Sequence, residues 1–298
     1  MKLLTQKVSF CLTMPRRRRT GEERQKEDRE YVPVIVKRTD ESKVHPEDIL
    51  VRAIKEGEQQ HNRKTRSLLL SSIAAGLILG FSGMAVAVVA SAINGGVNPL
   101  FERLAMALVY PLGFVICILS GTQLFTEHTA TAVYPVLDKR SSLASLVRVW
   151  LVVIFENLFG ALISSVMMFQ AKTVINASIG YVEIGHHLTQ FDFGPLLISA
   201  ILAGWLMAQG SWMLLATPSQ TSQILCIYIV TFLIGVGGLH HSIAGAAEIF
   251  TAAMISNLFT IREVFFFVGT ALLGNLIGGS VFVATLNYGH IRQTQLDD

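Results

Sequence analysis

The sequence predicts an all-α membrane protein with six transmembrane helices. Of the 298 residues 51% are hydrophobic and 15% are charged, and the mean hydropathy is +0.51, whereas soluble domains carry about 25% charged residues. The charged residues lie mostly before Arg66, and the stretch from Phe193 to Ala247 contains no Lys, Arg, Asp or Glu. The apolar runs reach the ~20 residues that a helix needs to cross a bilayer. A β-barrel would instead alternate polar and apolar residues over short strands.

The first part of the chain precedes these apolar runs. Residues 1–45 predict a basic, disordered cytoplasmic tail, whose run from Arg16 to Arg19 favours contact with anionic lipid over contact with nucleic acid. The opening residues are too weakly apolar to indicate a signal peptide. Residues 46–66 predict an amphipathic helix on the cytoplasmic membrane surface, because a proline and two acidic residues follow His45, as in a first helical turn.

Six apolar segments form the predicted transmembrane domain, residues 67–290, and residues 291–298 form a cytoplasmic C-terminal tail. Lys and Arg are concentrated in the N-terminal tail, at Lys139 and Arg140 after the second segment, and at Arg292. The positive-inside rule therefore places both termini in the cytoplasm. The predicted spans lie near 67–93, 104–137, 143–171, 195–217, 222–256 and 264–289.

The second and fifth segments are each interrupted in the middle, at GTQLFTEHT and at GGLHHS. Irregular backbone at membrane depth is tolerated only where it lines a cavity or is buried in protein. The third and sixth segments share a short motif, NLFG at 157–160 and NLIG at 275–278. These features predict an inverted repeat of three plus three helices, with a transport site where the two breaks meet.

Two histidines occupy the second break. An imidazole is the side chain that changes charge near neutral pH, and the N-terminal ends of half-helices attract anions. A histidine there could hydrogen-bond an anion or give it a proton. We predict that His241 faces the pore and that His240 packs against its surroundings; the alternative is that both only bridge helices.

Together, GTQLFTEHT and HHSIAG resemble the formate–nitrite transporter family over about residues 47–290. The resemblance implies an aquaporin-like fold with broken second and fifth helices. It also implies a homopentamer with one pore per protomer, which passes small monovalent weak-acid anions such as formate or nitrite. We expect such a protein to lie in a bacterial inner membrane, in contact with lipid.

The resemblance also assigns roles to residues of the two breaks. Leu124, Phe125 and Thr126 match the loop at the cytoplasmic side of the family's central chamber. His241, followed by Ser242, matches the central histidine.

Two apolar constrictions are a further feature that the resemblance implies. Tyr110 and Ile234 fall where family members place bulky apolar residues. Gly204 falls where an asparagine of the fourth span is expected to face the histidine, so the chain departs from the family pattern there.

Acidic residues are the other departure. Glu127 directly follows Thr126, and an ionised carboxylate there would repel anions unless it is protonated, paired or turned toward water. Glu156 is a second acid in an apolar region, and either could pair with a histidine. Asn157 and Asn275, from the repeated motif, are further residues that could modulate the site.

Other functions fit the sequence less well. No metal-ligand spacing is present, and the three cysteines suggest no framework, so we expect no metal and no cofactor. A neutral-solute channel of the aquaporin type is the main alternative, although its paired NPA motifs are missing. A membrane enzyme would need His241 and Ser242 to converge, and adjacent helical side chains point in different directions. An anchoring or sensory protein is the last alternative.

Overall fold

The computed structural model describes residues 44–93 and 95–297, so the predictions made for residues 1–43 lie outside the described residues. All regular structure in these ranges is helical, which confirms the all-α prediction. The helices are α1 Pro46–Asn62, α2 Thr65–Ile93, α3 Pro99–Val109, α4 Pro111–Leu119, α5 Phe125–Leu137, α6 Leu143–Gln170, α7 Lys172–Ile175, α8 Ser178–Thr189, α9 Phe193–Ala216, α10 Gln220–Gly237, α11 Ser242–Ile255, α12 Ile261–Gly279 and, after a π-helical turn Ser280–Thr285, α13 Leu286–Asp297.

Six helical stretches of the described chain are long and apolar enough to cross a membrane, as predicted. They are Thr65–Ile93, Pro99–Leu119, Leu143–Gln170, Phe193–Ala216, Gln220–Gly237 and Ile261–Gln293. The half-helices α5 and α11 complete the second and fifth segments, so the two predicted interruptions are real breaks in the helices.

Three boundaries differ from the predicted ones. The surface helix ends at Asn62 rather than at residue 66, because Arg63 is extended (φ −64°, ψ 133°). The second span begins earlier, at Pro99, because the Asn98 side chain accepts a hydrogen bond from the Leu100 amide (2.8 Å) and caps the helix. The last helix continues to Asp297, well past residue 290.

Glycines allow two pairs of helices to pack with their backbones in contact. A side chain at Gly76 of α2 would overlap the Asn157 carbonyl oxygen of α6, and one at Gly204 of α9 would overlap the Asn275 backbone of α12. Small residues of this kind let membrane helices approach until their backbones touch. The pairs α2–α6 and α9–α12 therefore pack in the same way, and each brings its asparagine beside one of the breaks.

Candidate functional site

The two breaks have the same backbone geometry. Leu124, the N-cap of α5, has φ −95° and ψ 127°, and His241, the N-cap of α11, has φ −94° and ψ 126°. The first amide of each half-helix is bound by an asparagine. Phe125 donates its N–H to Asn157 Oδ1 (2.9 Å), and the matching amide of α11 donates to Asn275 Oδ1 (2.8 Å).

The same asparagines also hold the chain that leads into each break. Asn157 Nδ2 donates to the carbonyls of Ser72 (2.8 Å) and Gln123 (2.9 Å). Asn275 Nδ2 donates to the carbonyls of Ala200 (2.7 Å) and His240 (3.1 Å). Both asparagines are fully buried, so all three bonds of each one are made away from water. The sequence suggested that these residues modulate the site; the structure shows that they hold both breaks in place.

His241 and Thr126 join the two breaks. His241 Nδ1 accepts a hydrogen bond from the Ala244 N–H (3.1 Å), and His241 Nε2 lies 2.6 Å from Thr126 Oγ1. A backbone N–H can only donate, so Nδ1 carries no proton and Nε2–H donates to the threonine oxygen. His241 is therefore a neutral donor, and the hydroxyl hydrogen of Thr126 stays available to a further acceptor.

Apolar side chains surround this pair. The His241 ring meets the Phe114 ring edge to face, with centroids 5.0 Å apart. Leu124 and Phe125 are buried on the α5 side. A hydrated ion finds little to replace its water here.

A cavity of about 560 Å³, the large cavity, reaches His241 from one side. Tyr110 and Ile234 lie on its wall, and the Tyr110 ring packs on Phe114 at 5.1 Å. The other titratable and cationic side chains in its lining are Glu102, Arg103, Glu183, His187, His240 and Glu248.

A second cavity, the small cavity, has a volume of about 10 Å³, close to the least space that holds one water molecule. Its lining includes Glu127, Ser211 and Thr231. Glu127 directly follows Thr126, whose hydroxyl lies 2.6 Å from Nε2 of His241, a residue of the large-cavity lining.

His240 has contacts of a different kind. Its Nδ1 lies 2.7 Å from Ser199 Oγ, and its ring stacks on His187 with centroids 5.3 Å apart and an interplanar angle of 8°. Its Nε2 is buried without a hydrogen-bond partner. His240 thus packs against the protein and also lines the large cavity.

The remaining predicted residues are placed as follows. Ser242 is buried, and its hydroxyl has no hydrogen-bond partner. Glu127 lies 3.6 Å from the imidazole of its neighbour His128. Glu156 makes no hydrogen bond or ion pair within residues 44–93 and 95–297. Gly204 packs against the Asn275 backbone, and a Cβ at this position would overlap Asn275. The asparagine that the family pattern places here would therefore not fit.

Sequence reasoning missed Glu248. This residue is the only charged one between Phe193 and Ile261, and that isolation was the available signal. It follows His241 by seven residues, so it lies two turns further along the same face of α11. Its side chain is 5% exposed and belongs to the lining of the large cavity.

The short helix α8 places two more titratable groups at this cavity. Burial raises the pKa of Glu183, and the neighbouring carboxylate of Glu102 raises it further. Burial lowers the pKa of His187; the Arg103 charge adds to this, and the hydrogen bond to the Gly238 carbonyl opposes it. At neutral pH the histidine is therefore uncharged.

Known proteins match this chain over most of its length. The formate/nitrite transporter family model matches residues 47–289. The inner membrane protein YfdC of Escherichia coli K12 is 32% identical over 242 residues, covering 80% of this chain and 76% of that protein. The formate channel BtFdhC of Bacillus thuringiensis is 25% identical over 250 residues, covering 80% and 92%. A solved pentameric formate channel with formate bound aligns with a TM-score of 0.65 at 22% identity, covering 77% and 98%.

Proposed function

The chain belongs to the formate/nitrite transporter family, and we propose that it forms a pore for small monovalent weak acids, such as formate or nitrite. Members of this family are channels and transporters, not enzymes. The observation that carries the proposal is the hydrogen bond between Thr126 and His241, made where both broken helices begin.

The N-terminal ends of α5 and α11 meet at this bond, and such ends favour an anion or the electron-rich oxygen of an acid. The substrate oxygen takes the place of Thr126 as acceptor of the His241 Nε2–H. The Thr126 hydroxyl then turns its hydrogen to the substrate, and the Ser242 hydroxyl is a third donor nearby. Tyr110 and Ile234 form the apolar constriction on the side of the large cavity.

Matched contacts in the two halves of the chain support an inverted repeat. Each half has one glycine-packed helix pair, one asparagine bound to a half-helix amide, and one extended N-cap. With both termini in the cytoplasm, as the positive charge indicates, the large cavity opens outward and the small cavity inward.

A homopentamer in a bacterial inner membrane is the assembly and location that we propose. The solved relative is a pentamer, and the relative in E. coli is an inner membrane protein. Large apolar side chains on the outside of the helix bundle, such as Phe155, Phe159 and Phe265, suit contact with lipid or with a second copy. Residues 1–45 are proposed as the cytoplasmic tail.

Flux into proteoliposomes tests this function. We expect formate and nitrite to enter vesicles that contain the protein, and glycerol and urea not to. His241→Leu removes a hydrogen bond to the substrate worth about 1.5–3 kcal/mol and should lower formate flux about 10- to 100-fold. His186→Leu, at an exposed histidine of α8 outside both cavities, is the matched control and should keep the flux.

Two results would contradict the proposal. Unchanged formate flux in His241→Leu would remove the histidine from the pathway. Passage of glycerol in place of formate would support the neutral-solute channel.

A further inference from the structure

We propose that the wall of the large cavity holds a binding site for a small protonated amine, with the Glu248 carboxylate as its counter-ion. The inference goes beyond the proposed pore, because it concerns a second ligand of opposite charge. Three observations carry it: a buried carboxyl group without a partner, two tyrosines beside it, and the balance of charge and apolar surface in the cavity.

Glu248 is a buried carboxyl group that the protein leaves unpaired. It is only 5% exposed and lines the large cavity. It forms no hydrogen bond and no ion pair with any residue of 44–93 and 95–297. Helix α2 leaves room for its side chain at Gly83, where an added Cβ would come within 2.8 Å of the Glu248 Cγ. An ionised carboxylate buried in this way is costly unless a cation meets it.

Two tyrosines stand close enough to Glu248 for its charge to act on their hydroxyl groups, Tyr110 and Tyr181. Tyr110 lines the large cavity. Tyr181, on α8, is 2% exposed, and its hydroxyl has no hydrogen-bond partner in the described chain. Carboxylate and phenol oxygens accept hydrogen bonds from N–H groups, and aromatic rings attract cations at their faces. This set of groups therefore suits an ammonium group.

The charge of the large cavity also favours a cation. Its lining holds three carboxyl groups, those of Glu102, Glu183 and Glu248, and a single guanidinium, that of Arg103. The guanidinium lies beside Gly238, where an added Cβ would be 3.2 Å from the Arg103 Nη2. Among the described residues, no cationic side chain acts on Glu248. Since a cleft lined mainly by one sign of charge concentrates the opposite sign, the complementary occupant is positively charged.

The rest of the lining suits an organic cation. Within the described residues, no group of three or more His, Cys, Asp or Glu side chains could hold a metal ion. Apolar side chains from several helices form much of the cavity wall: Val86, Met106, Ile184, Leu188 and Phe191. The volume of about 560 Å³ lies in the range of small-molecule sites. A short alkylamine can therefore place its ammonium group at Glu248 and its alkyl chain on this wall.

Equilibrium binding of isotope-labelled propylamine, which is protonated at pH 7.5, tests the site on the purified full-length protein in detergent. We expect saturable binding of one propylammonium per chain. Glu248→Gln removes the counter-ion and should weaken binding about tenfold or more. Gly83→Ala keeps the carboxyl group but displaces it, and should weaken binding by a smaller factor.

The matched control is Glu263→Gln. It removes an exposed carboxyl group outside both cavities and keeps the capping box of α12, where Gln can replace Glu. This variant should bind propylammonium as the unmodified protein does. Size-exclusion elution identifies any variant that fails to fold, and Gly83→Ala then tests the site if Glu248→Gln is lost.

Competition with labelled propylammonium identifies the chemistry of the ligand. Ethylammonium should displace it, whereas potassium and tetramethylammonium, which have no N–H group, should displace it at least about tenfold more weakly. Weaker displacement by ammonium chloride than by ethylammonium would show that the site takes an organic amine. Equal displacement would show that it takes ammonium itself, and both results support an N–H cation at Glu248.

Four results would overturn the proposal: no saturable binding, unchanged binding in both Glu248→Gln and Gly83→Ala, displacement by potassium as strong as by ethylammonium, or displacement by propionate, which would make the cavity an anion site. Formate flux of the same preparation keeps the two proposals apart. Formate entry without amine binding leaves the weak-acid pore intact and removes the amine site. Amine binding without formate entry leaves the amine site intact and removes the pore.

Discussion

The breaks in the second and fifth segments share their backbone and differ in their chemistry. Both begin with an extended N-cap, and in both a buried asparagine accepts from the first amide of the half-helix. The first break then presents Thr126 and Glu127, whereas the second presents His241 and, two turns on, Glu248. The geometry is thus a property of the asparagines and glycines around the breaks, and it leaves the side chains at the breaks free to differ.

Counting from the N-caps makes the difference concrete. Glu127 stands three residues after Leu124, where α11 has Ala244. Glu248 stands seven residues after His241, where α5 has Thr131. Each half-helix therefore carries one carboxyl group, but at a different distance from its N-cap, so the two breaks differ in where they place a charge.

Removing an asparagine should have the largest effect and tests whether the two breaks are equivalent. Asn157→Leu removes the partner of the buried Phe125 amide and of the Gln123 carbonyl. Asn275→Leu does the same to the first amide of α11 and to the His240 carbonyl. Each should lower the free energy of unfolding by about 3 kcal/mol or more. Unfolding in mixed micelles measures this, with Asn62→Ala at the exposed end of α1 as the control. A loss at only one break would show that the halves are held by different means.

The six spans and the two breaks could be predicted from the sequence, because the length of an apolar run and a polar or glycine-rich interruption within it can both be seen in consecutive residues. Helix ends were less predictable. The second span begins at Pro99 because one side chain, Asn98, caps it, and the surface helix ends early because Arg63 is extended.

The candidate site was predictable in part. His241 and Thr126 were identified from the motifs, but their contact joins residues 115 positions apart and depends on how the halves pack. The role of the asparagines was missed because the direction of a side-chain amide depends on the neighbouring helix. Glu248 was missed because it lies just beyond the uncharged stretch, two turns from the histidines that drew attention.

Substituting the packing glycines should have an intermediate effect and sharpens the same comparison. Gly76→Ala and Gly204→Ala each force a methyl group against an asparagine backbone, and overpacking of this kind costs about 1–3 kcal/mol. Gly269→Ala is the control, since no atom lies within 4 Å of its added Cβ; it should be neutral or slightly stabilising. Thermal midpoints in detergent measure all three. Equal tolerance of alanine at all three positions would contradict close backbone packing in both helix pairs.

The smallest effect should come from the histidines of the helices that cover the two half-helices, His61 of α1 over α5 and His187 of α8 beside α11. His61 bonds the Ala132 carbonyl and Ser145 (both 2.8 Å), and burial is the main cause that lowers its pKa below 6.5; burial also lowers the pKa of His187. Since the unfolded chain takes up these protons first, stability should be unaffected above about pH 6.5 and should fall as the pH drops below it. The thermal midpoint of the unmodified protein should therefore decrease more between pH 7.5 and pH 5.5 than that of His61→Gln or His187→Gln. A different outcome would be a thermal midpoint that depends on pH equally in His61→Gln and the unmodified protein, and less in His187→Gln alone. Acid would then destabilise only the contact of α8 with the second break, and the two covering helices would differ as the two breaks do.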